Sequence, residues 1–387
     1  MKGDFVEYAF GRLNQLNRLS TGVRMEKSTG KLPWPVAVAL VAILVGGAIW
    51  AANRITSRNP GALASATRTS ALAGQEVQVL GNGMLYYDGT TLHALNDNAQ
   101  QIWSYAAGTG AGFSVDSGGV CSWSGTMVTF LTSEDGKILY SGNMNETILD
   151  ACIGLKYAAV QVGEEHNSVI YLMESGGRRV DEIDLKDLTV LDFGFFSNDS
   201  LFWVMTLDTE GTIPVCAIST YRPGKMLAGT IQDTQQVLYE VVFQSSKIRA
   251  VGTTHIKDFD YTGKEISDNR MLVYGWYLTA MNDDTVNPLM AFVPMDQSDG
   301  TASITDVRLI QSQQDFTVHL PYKANRVVVG GDNAYAFNSQ YVSVCRPGDT
   351  LPTTYALPVY IDSVLGITDS RVVIASSGGS VYMIRLA

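Results

Sequence analysis

The sequence has few of the residues from which catalytic and metal sites are usually built. Its 387 residues include only 4 histidines and 4 cysteines, and 17% are charged, below the roughly 25% of an average globular protein. The cysteines, at positions 121, 152, 216 and 345, include no pair at the two-residue spacing of metal or thioredoxin-like sites. Buried free thiols are the simplest interpretation. One disulfide between neighbouring strands is the alternative if the domain lies outside the cytoplasm.

Familiar motifs are also missing. The chain contains no Gly-x-Ser-x-Gly elbow, no phosphate-binding glycine loop and no His-Glu-x-x-His segment. The densest titratable cluster, Glu164-Glu165-His166, falls where a solvated hairpin loop is expected. An acidic run at 181–187 lacks the central glycine of a calcium loop and is interpreted as a solvated strand edge. We therefore assign no catalytic, cofactor-binding or metal-binding residues and predict no cofactor.

Negative charge is concentrated in the larger part of the chain. Residues 1–52 carry six basic and three acidic residues, whereas the remaining chain carries 21 basic and 35 acidic residues. A surface with this charge repels phosphate backbones, and no basic stripe offsets the repulsion. Nucleic acid is therefore excluded as a partner of the large region.

An uncharged run from Val36 to Ala52, extended upstream by Leu32-Pro33-Trp34-Pro35, divides these two parts. About 20 helical residues cross the roughly 30 Å hydrocarbon core of a bilayer, so residues 32–52 are predicted to form a single transmembrane helix. A cleaved signal peptide is the alternative. We favour the anchor because 31 residues precede the run and the small residues of 62–66 begin about ten residues beyond it.

The basic residues flanking this run predict its orientation. Six precede it, whereas Arg54, Arg58 and Arg68 follow it. The positive-inside tendency then makes residues 1–31 a cytoplasmic tail and places the large region outside the cytoplasm at the cell membrane. Residues 53–75, rich in Ala, Ser, Thr and Gly, are predicted to be a linker.

From Glu76 onward, short apolar runs alternate with Asp-Gly, Gly-Gly and Ser-Gly turns, and no long segment has a helical period. The first unit contains Met84–Tyr87, then Asp88-Gly89, Leu92–Leu95 and Ile102–Tyr105. Looser copies of this strand and turn scheme follow along the chain. Such recurrence is typical of β-propeller blades, which have four antiparallel strands each.

Residues 76–387 are therefore predicted to form an all-β propeller. Blades of about 40 to 45 residues would give seven or eight in this length, and we prefer seven. Glu76–Leu80 is predicted to join the last blade and close the ring, which would remove an open sheet edge.

The first unit resembles the repeat of pyrroloquinoline-quinone-type propellers. The resemblance rests on Tyr87, Asp88-Gly89, Ala94-Leu95-Asn96 and Ile102-Trp103. The whole arrangement also resembles a family of uncharacterised bacterial proteins, in which one N-terminal membrane helix precedes an extracytoplasmic propeller with PQQ-like or WD40-like repeats. A quinone enzyme would need a calcium-bearing cofactor pocket, for which the residues give no sign. Trp103 is accordingly interpreted as a blade-packing residue.

Three functions fit these features. The leading hypothesis is a non-catalytic scaffold that binds a protein or a cell-envelope component, because anchor, linker and propeller occur together without a catalytic constellation. The second is a hydrolase or lyase whose active site lies on the propeller axis, where residues from different blades could converge. The third is an envelope-protein assembly factor. The oligomeric state is left open.

Overall fold

The computed structural model describes residues 61–62 and 65–386, except 197–199, 212–213, 226, 245–246, 283–285, 301 and 350. The predicted tail, the predicted transmembrane helix and most of the predicted linker lie outside this range. Among the residues that are described, no helix is both long and apolar enough to span a membrane. The anchor therefore stays a prediction.

The described residues fold into eight sheets, which are the blades of a β-propeller. Each blade has four antiparallel strands, and one blade has a short fifth strand. Strands β1 (Gly61–Ala62) and β2 (Ser65–Leu72) precede blade 1. Blade 1 contains β3 (Glu76–Leu80), β4 (Gly83–Tyr87), β5 (Thr91–Leu95) and β6 (Gln101–Ala106). Blade 2 contains β7 (Gly112–Asp116), β8 (Gly119–Ser124), β9 (Met127–Leu131) and β10 (Ile138–Asn143). Blade 3 contains β11 (Ile148–Ile153), β12 (Tyr157–Glu164), β13 (Asn167–Glu174) and β14 (Arg179–Lys186).

Blades 4, 5 and 6 follow, and their strands vary from two to eleven residues. Blade 4 contains β15 (Thr189–Phe195), β16 (Phe202–Asp208), β17 (Val215–Tyr221) and β18 (Leu227–Asp233). Blade 5 contains β19 (Leu238–Gln244), β20 (Lys247–Gly252), β21 (His255–Phe259) and β22 (Met271–Leu272). Blade 6 contains β23 (Trp276–Met281), β24 (Leu289–Pro294), β25 (Ile304–Gln311) and β26 (Gln314–Ala324). Two 3-10 helices occupy Ser267–Asn269 and Met295–Gln297.

Two further blades complete the ring. Blade 7 contains β27 (Arg326–Gly330), β28 (Asn333–Phe337), β29 (Tyr341–Cys345) and β30 (Thr353–Ala356), and β1 adds a short parallel strand beside β30. Blade 8 contains β31 (Ser363–Ile367), β32 (Val372–Ser377) and β33 (Ser380–Arg385), with β2 as its fourth strand.

The all-β propeller is confirmed, but the preferred count of seven blades is wrong, because the ring has eight. Two features explain the difference. Tight turns and five-residue strands make some blades shorter than the assumed repeat, such as blade 1 at 76–106. The ring also begins earlier, at Ser65, so that more chain is available for blades.

The ring is closed by β2, and the prediction that Glu76–Leu80 closes it is wrong. Strand β2 pairs antiparallel with β33, with Ser65 opposite Arg385 and Arg68 opposite Tyr382. The buried hydroxyl of Thr69 also donates a hydrogen bond to the carbonyl of Val381 (2.9 Å). Residues 65–72, expected in the linker, are thus part of blade 8, and Glu76–Leu80 is the first strand of blade 1.

The first strand of each blade borders the central channel, since first strands of successive blades contact one another around much of the ring. Because the strands in a blade alternate in direction, the loops fall into two sets. We call the side with the connections between blades the front face, and the side with the turns from each first to each second strand the back face.

Each pair of neighbouring blades encloses one of eight clusters of buried apolar side chains. The cluster between blades 8 and 1 joins Ala71 of β2 to Met84 and Ile374. All four cysteines are buried in the ring as free thiols, as the sequence favoured. Burial raises the pKa of the Cys345 thiol to about 12, so the thiol is neutral at physiological pH.

Deleting residues 1–74 should destabilise the ring, whereas deleting residues 1–59 should leave its stability unchanged. The longer deletion removes β2 and exposes the edge of β33 together with the apolar cluster between blades 8 and 1. We expect the thermal midpoint of the longer deletion to fall by at least roughly 5 °C relative to the shorter one. Equal midpoints in thermal denaturation would contradict the closing role of β2.

Candidate axial site

Bulges in the first strands determine which side chains line the channel. Pairing shifts by one residue in β11, β15, β19, β23 and β31, and the extra residue is the second, third or fourth of its strand. At a bulge, two residues of one strand lie opposite a single residue of the partner strand. The extra side chain therefore does not follow the regular alternation of side chains between the two faces of the sheet. Leu149, Leu191 and Leu365 occupy such positions and are 37%, 43% and 40% exposed. Apolar side chains are thus presented to the channel.

A carboxylate follows the bulged residue on three successive first strands. These are Asp150 of β11, Asp192 of β15 and Glu240 of β19. Each accepts a hydrogen bond from the backbone N–H of the next residue, at 2.7, 2.8 and 2.9 Å respectively. This local bond holds each carboxylate beside its own strand.

Asp116, at the end of β7, adds a fourth carboxylate. It accepts hydrogen bonds from the hydroxyl of Ser114 (2.9 Å) and from the backbone N–H of Ile153 (3.1 Å) on the next blade. The same hydroxyl lies 2.8 Å from the carbonyl oxygen of Ala151, so its single hydrogen is shared between the two acceptors. Asp116 therefore links the first strands of blades 2 and 3. We call Asp116, Asp150, Asp192 and Glu240 the axial carboxylates.

The surrounding protein raises the pKa of all four axial carboxylates, because burial penalises their charged forms. Two of them, Asp150 and Asp192, are nevertheless exposed residues. The charges also act on one another: Asp150 raises the pKa of Asp116, and Asp192 that of Glu240. No ion pair formed within the described residues involves any of the four. The channel wall of blades 2 to 5 thus carries uncompensated negative charge.

This arrangement favours a positively charged ligand over a metal ion. Among the described side chains, no three His, Cys, Asp or Glu groups lie close enough together to hold a metal. The carboxylates are instead spread over four blades beside exposed leucines. A segment that carries both cationic and apolar side chains would satisfy both kinds of surface.

The residues that the sequence singled out do not come together. His93, His166, His255 and His319 lie on blades 1, 3, 5 and 6, where each bonds a near neighbour, such as Asp88 for His93 (2.9 Å). Glu164 is the last residue of β12, and Glu165 and His166 form the hairpin turn to β13. The acidic run at 181–187 lies on and just beyond β14, the outermost strand of blade 3. These two interpretations are confirmed.

Trp103 has the packing role expected of it. Its ring is buried between blades 1 and 2, and its indole N–H donates to the carbonyl of Ser133 (2.9 Å). The ring lies against Gly136, where an added Cβ would come within 2.7 Å of it. Trp103 therefore fastens one blade to the next and lies away from the axial carboxylates.

Sequence reasoning missed the axial carboxylates, although they leave a pattern in the chain. On three first strands an aliphatic residue is followed by a large apolar residue and then an acid, in the pairs Leu149-Asp150, Leu191-Asp192 and Tyr239-Glu240. The second pair lies 42 residues after the first and the third lies 48 residues after the second, which is close to one blade length. The recurrence of a large apolar residue followed by an acid, once per blade, could have located them. The more conspicuous Asp-Gly and Gly-Gly turns lie at the blade hairpins instead.

Comparison with known proteins identifies the fold. No family model matches the chain, and no curated protein sequence matches it. Among solved structures, the C-terminal WD40 domain of Sif2 aligns with a TM-score of 0.56 at 11% identity, covering 85% of this chain and 99% of that one. Sqt1 of Saccharomyces cerevisiae aligns at 0.54 and 8% identity, covering 84% and 99%. The WD40 domain of SCAP from fission yeast aligns at 0.54 and 8%, covering 83% and 98%. The chain thus has the fold of WD40-type propellers.

Replacing both Asp150 and Asp192 by Asn should stabilise the protein at neutral pH. The pKa of each of these two carboxyl groups is raised in the folded state, so the folded protein loses stability as the pH rises through that pKa. The amide of Asn cannot ionise and so removes this penalty, and it keeps an oxygen that accepts the backbone hydrogen bond. Thermal unfolding at about pH 7.5 should show a midpoint roughly 1–3 °C above that of the wild type. The difference should shrink at about pH 4, where carboxyl groups begin to protonate in both states.

Glu165→Gln is the control, because this carboxylate lies in the hairpin turn of blade 3 and outside the channel. We expect no comparable gain from it. A double variant that is less stable than the wild type at neutral pH, or a gain that does not depend on pH, would contradict the electrostatic description of the channel.

Proposed function

We propose that this protein is a non-catalytic scaffold whose axial channel binds a basic segment of a partner protein. The four axial carboxylates, on the first strands of four consecutive blades, are the observation that carries the proposal. The WD40-type fold supports it, since such propellers typically act as protein-interaction platforms. Binding a cationic side chain would lower the pKa of these carboxylates and relieve their mutual repulsion.

The exposed apolar side chains limit what kind of segment fits. Leu149 and Leu191 lie directly beside Asp150 and Asp192 along their strands. Tyr239 and Tyr277 of the next two blades stack with ring centroids 5.2 Å apart and continue this surface. A partner segment with Lys or Arg next to aliphatic or aromatic residues would bury both surfaces together, and a purely cationic ligand would leave the leucines in water.

The proposed location is the outer side of a cell membrane. The support comes from the uncharged run at 32–52 and from the excess of basic residues before it. In this arrangement residues 1–31 form a cytoplasmic tail, and the chain joins the propeller at β1 and β2. A partner in the cell envelope, including a protein under assembly there, would meet the channel.

Deleting residues 32–52 should move the protein from the membrane fraction to the soluble fraction. The deletion removes the apolar segment that is long enough to span a bilayer and leaves the propeller intact. Protease added to intact cells should digest the propeller of the full chain. A full chain that is protected in intact cells but digested after lysis would place the propeller inside and overturn the proposed orientation.

A photoreactive amino acid in place of Leu191 should crosslink the partner, whereas the same residue in place of Leu227 should not. Both leucines belong to blade 4 and are exposed, but Leu191 lies on the channel strand and Leu227 on the outermost strand. Asp150→Asn with Asp192→Asn should reduce the crosslinked product about tenfold, because two attractive charges are lost.

Competition gives a second readout for this experiment. A synthetic peptide that alternates Lys with Leu should suppress the crosslink at Leu191, and a peptide with Glu in place of Lys should not. Identical products at Leu191 and Leu227 would contradict the axial site. Turnover of glycoside, ester or peptide substrates that is abolished by the double Asn variant would instead establish the alternative, a hydrolase or lyase with acidic catalytic groups on the axis.

A further inference from the structure

A polar pocket of about 610 Å³ lies on the back face between blades 5 and 6, away from the axial carboxylates. Blade 5 contributes Gln244, Lys247 and Arg249 to its lining. Blade 6 contributes Asn287 and the turn between β25 and β26, which includes Gln311 and Gln314. The volume is large enough for a small organic molecule.

The pocket carries positive charge in an otherwise acidic protein. Arg249 is almost fully buried and makes two bonds to the buried carboxylate of Asp258 (2.8 and 3.1 Å). Lys247 also pairs with Asp258. Since one carboxylate is shared by two cations and none of the lining residues is acidic, one positive charge is left over.

Lys247 is the residue that can present this excess positive charge to a ligand. Arg249 is held on both sides, because it also donates to the carbonyl of Ser312 (3.3 Å) on blade 6. The side chain of Lys247 is 20% exposed, and within the described part of the chain Asp258 is its one hydrogen-bond acceptor. An ammonium group has three donors, so two remain for a ligand in the pocket.

Gln244 gives independent evidence for a ligand. The residue is only 6% exposed, and its side-chain amide has no hydrogen-bond partner among the described residues. Its backbone carbonyl, by contrast, accepts a hydrogen bond from the hydroxyl of Tyr261. A buried amide without partners is unfavourable for folding, so its retention in the lining of a pocket indicates a group from outside the chain that it binds.

The remaining lining defines the chemistry of that group. The amide of Gln314 offers both donors and acceptors, as sugar hydroxyls require. The neighbouring amides are partly engaged, because the hydroxyl of Ser312 donates to Oδ1 of Asn287 (2.6 Å) and Nε2 of Gln311 donates to the backbone carbonyl of Asn287 (3.3 Å). Val286 is the one apolar lining residue, and the lining contains no aromatic ring on which a nucleobase could stack.

We propose that this pocket binds a small anionic sugar, with Lys247 at its carboxylate or phosphate group and Gln244 at its hydroxyl groups. A uronic acid and a sugar phosphate share this chemistry, and both fit the available volume. Bound there, the ligand would neutralise the excess charge beside Asp258 and satisfy the buried amide. The site is separate from the axial channel, so the two could be occupied together.

Equilibrium dialysis of the purified full chain against labelled glucuronate and glucose 6-phosphate tests the assignment. At least one of these should bind saturably, and neutral glucose should bind at least about tenfold more weakly because it lacks the charge-assisted bond to Lys247. Inorganic phosphate, as a second comparison, should also bind at least about tenfold more weakly, since it lacks the sugar hydroxyls. Preference for glucuronate or for glucose 6-phosphate then identifies the anionic group.

Three variants separate binding from folding. Lys247→Gln should weaken binding of the preferred anion about tenfold, and Lys264→Gln, which removes the same charge from an exposed turn of blade 5, should leave it unchanged. Gln244→Met should also weaken binding about tenfold without lowering the thermal midpoint, because it removes an unpaired buried amide. No saturable binding to the wild type, equal binding of glucose, or unchanged binding in Lys247→Gln and Gln244→Met would each overturn the proposal.

Discussion

The structure depends on the pairing of β2 with β33, which makes eight separate sheets into one closed ring. Each blade is a small sheet that cannot bury both of its faces alone, and the eight apolar clusters form only when every blade has a neighbour on each side. Because β2 comes from the beginning of the propeller and β33 from its end, the last interface is held by hydrogen bonds between distant parts of the chain. Every inner strand is positioned by this closure.

The unpaired inner edges of the first strands explain why the channel of the closed ring carries bulges and charged side chains. A first strand pairs on one side only, so its other edge faces water and could pair with a foreign strand. Bulges at Leu149 and Leu191 interrupt that edge, and charged side chains directly after them make a further strand unfavourable. The same devices produce a surface of leucines and carboxylates. Protection of the edge and binding of a basic segment therefore use the same residues.

Opposite charges are segregated between the two sites. The axial carboxylates of blades 2 to 5 have no cationic partner within the described chain, and their pKa values rise as a result of burial. On the back face, by contrast, Asp258 has two cationic partners, and a positive charge remains. One rigid ring can in this way present an anionic surface at its axis and a cationic pocket between two blades.

The sequence by itself determined the class of the fold, because short apolar runs between glycine-containing turns leave no other regular structure for the chain. It also placed Trp103 in a blade interface and the Glu164-Glu165-His166 segment in a hairpin turn. It did not determine the blade count, since the role of residues 65–72 depends on a partner strand more than 300 residues away. The sequence likewise did not show that the residues of either site lie together, although the apolar and acidic pairs of blades 3 to 5 recur visibly along it. Asp116, Asp150, Asp192 and Glu240 are distant in sequence. Gln244 is notable only because the ring buries its side-chain amide without a partner among the described residues. Only the tertiary structure brings such groups together, because ring closure sets which strands adjoin.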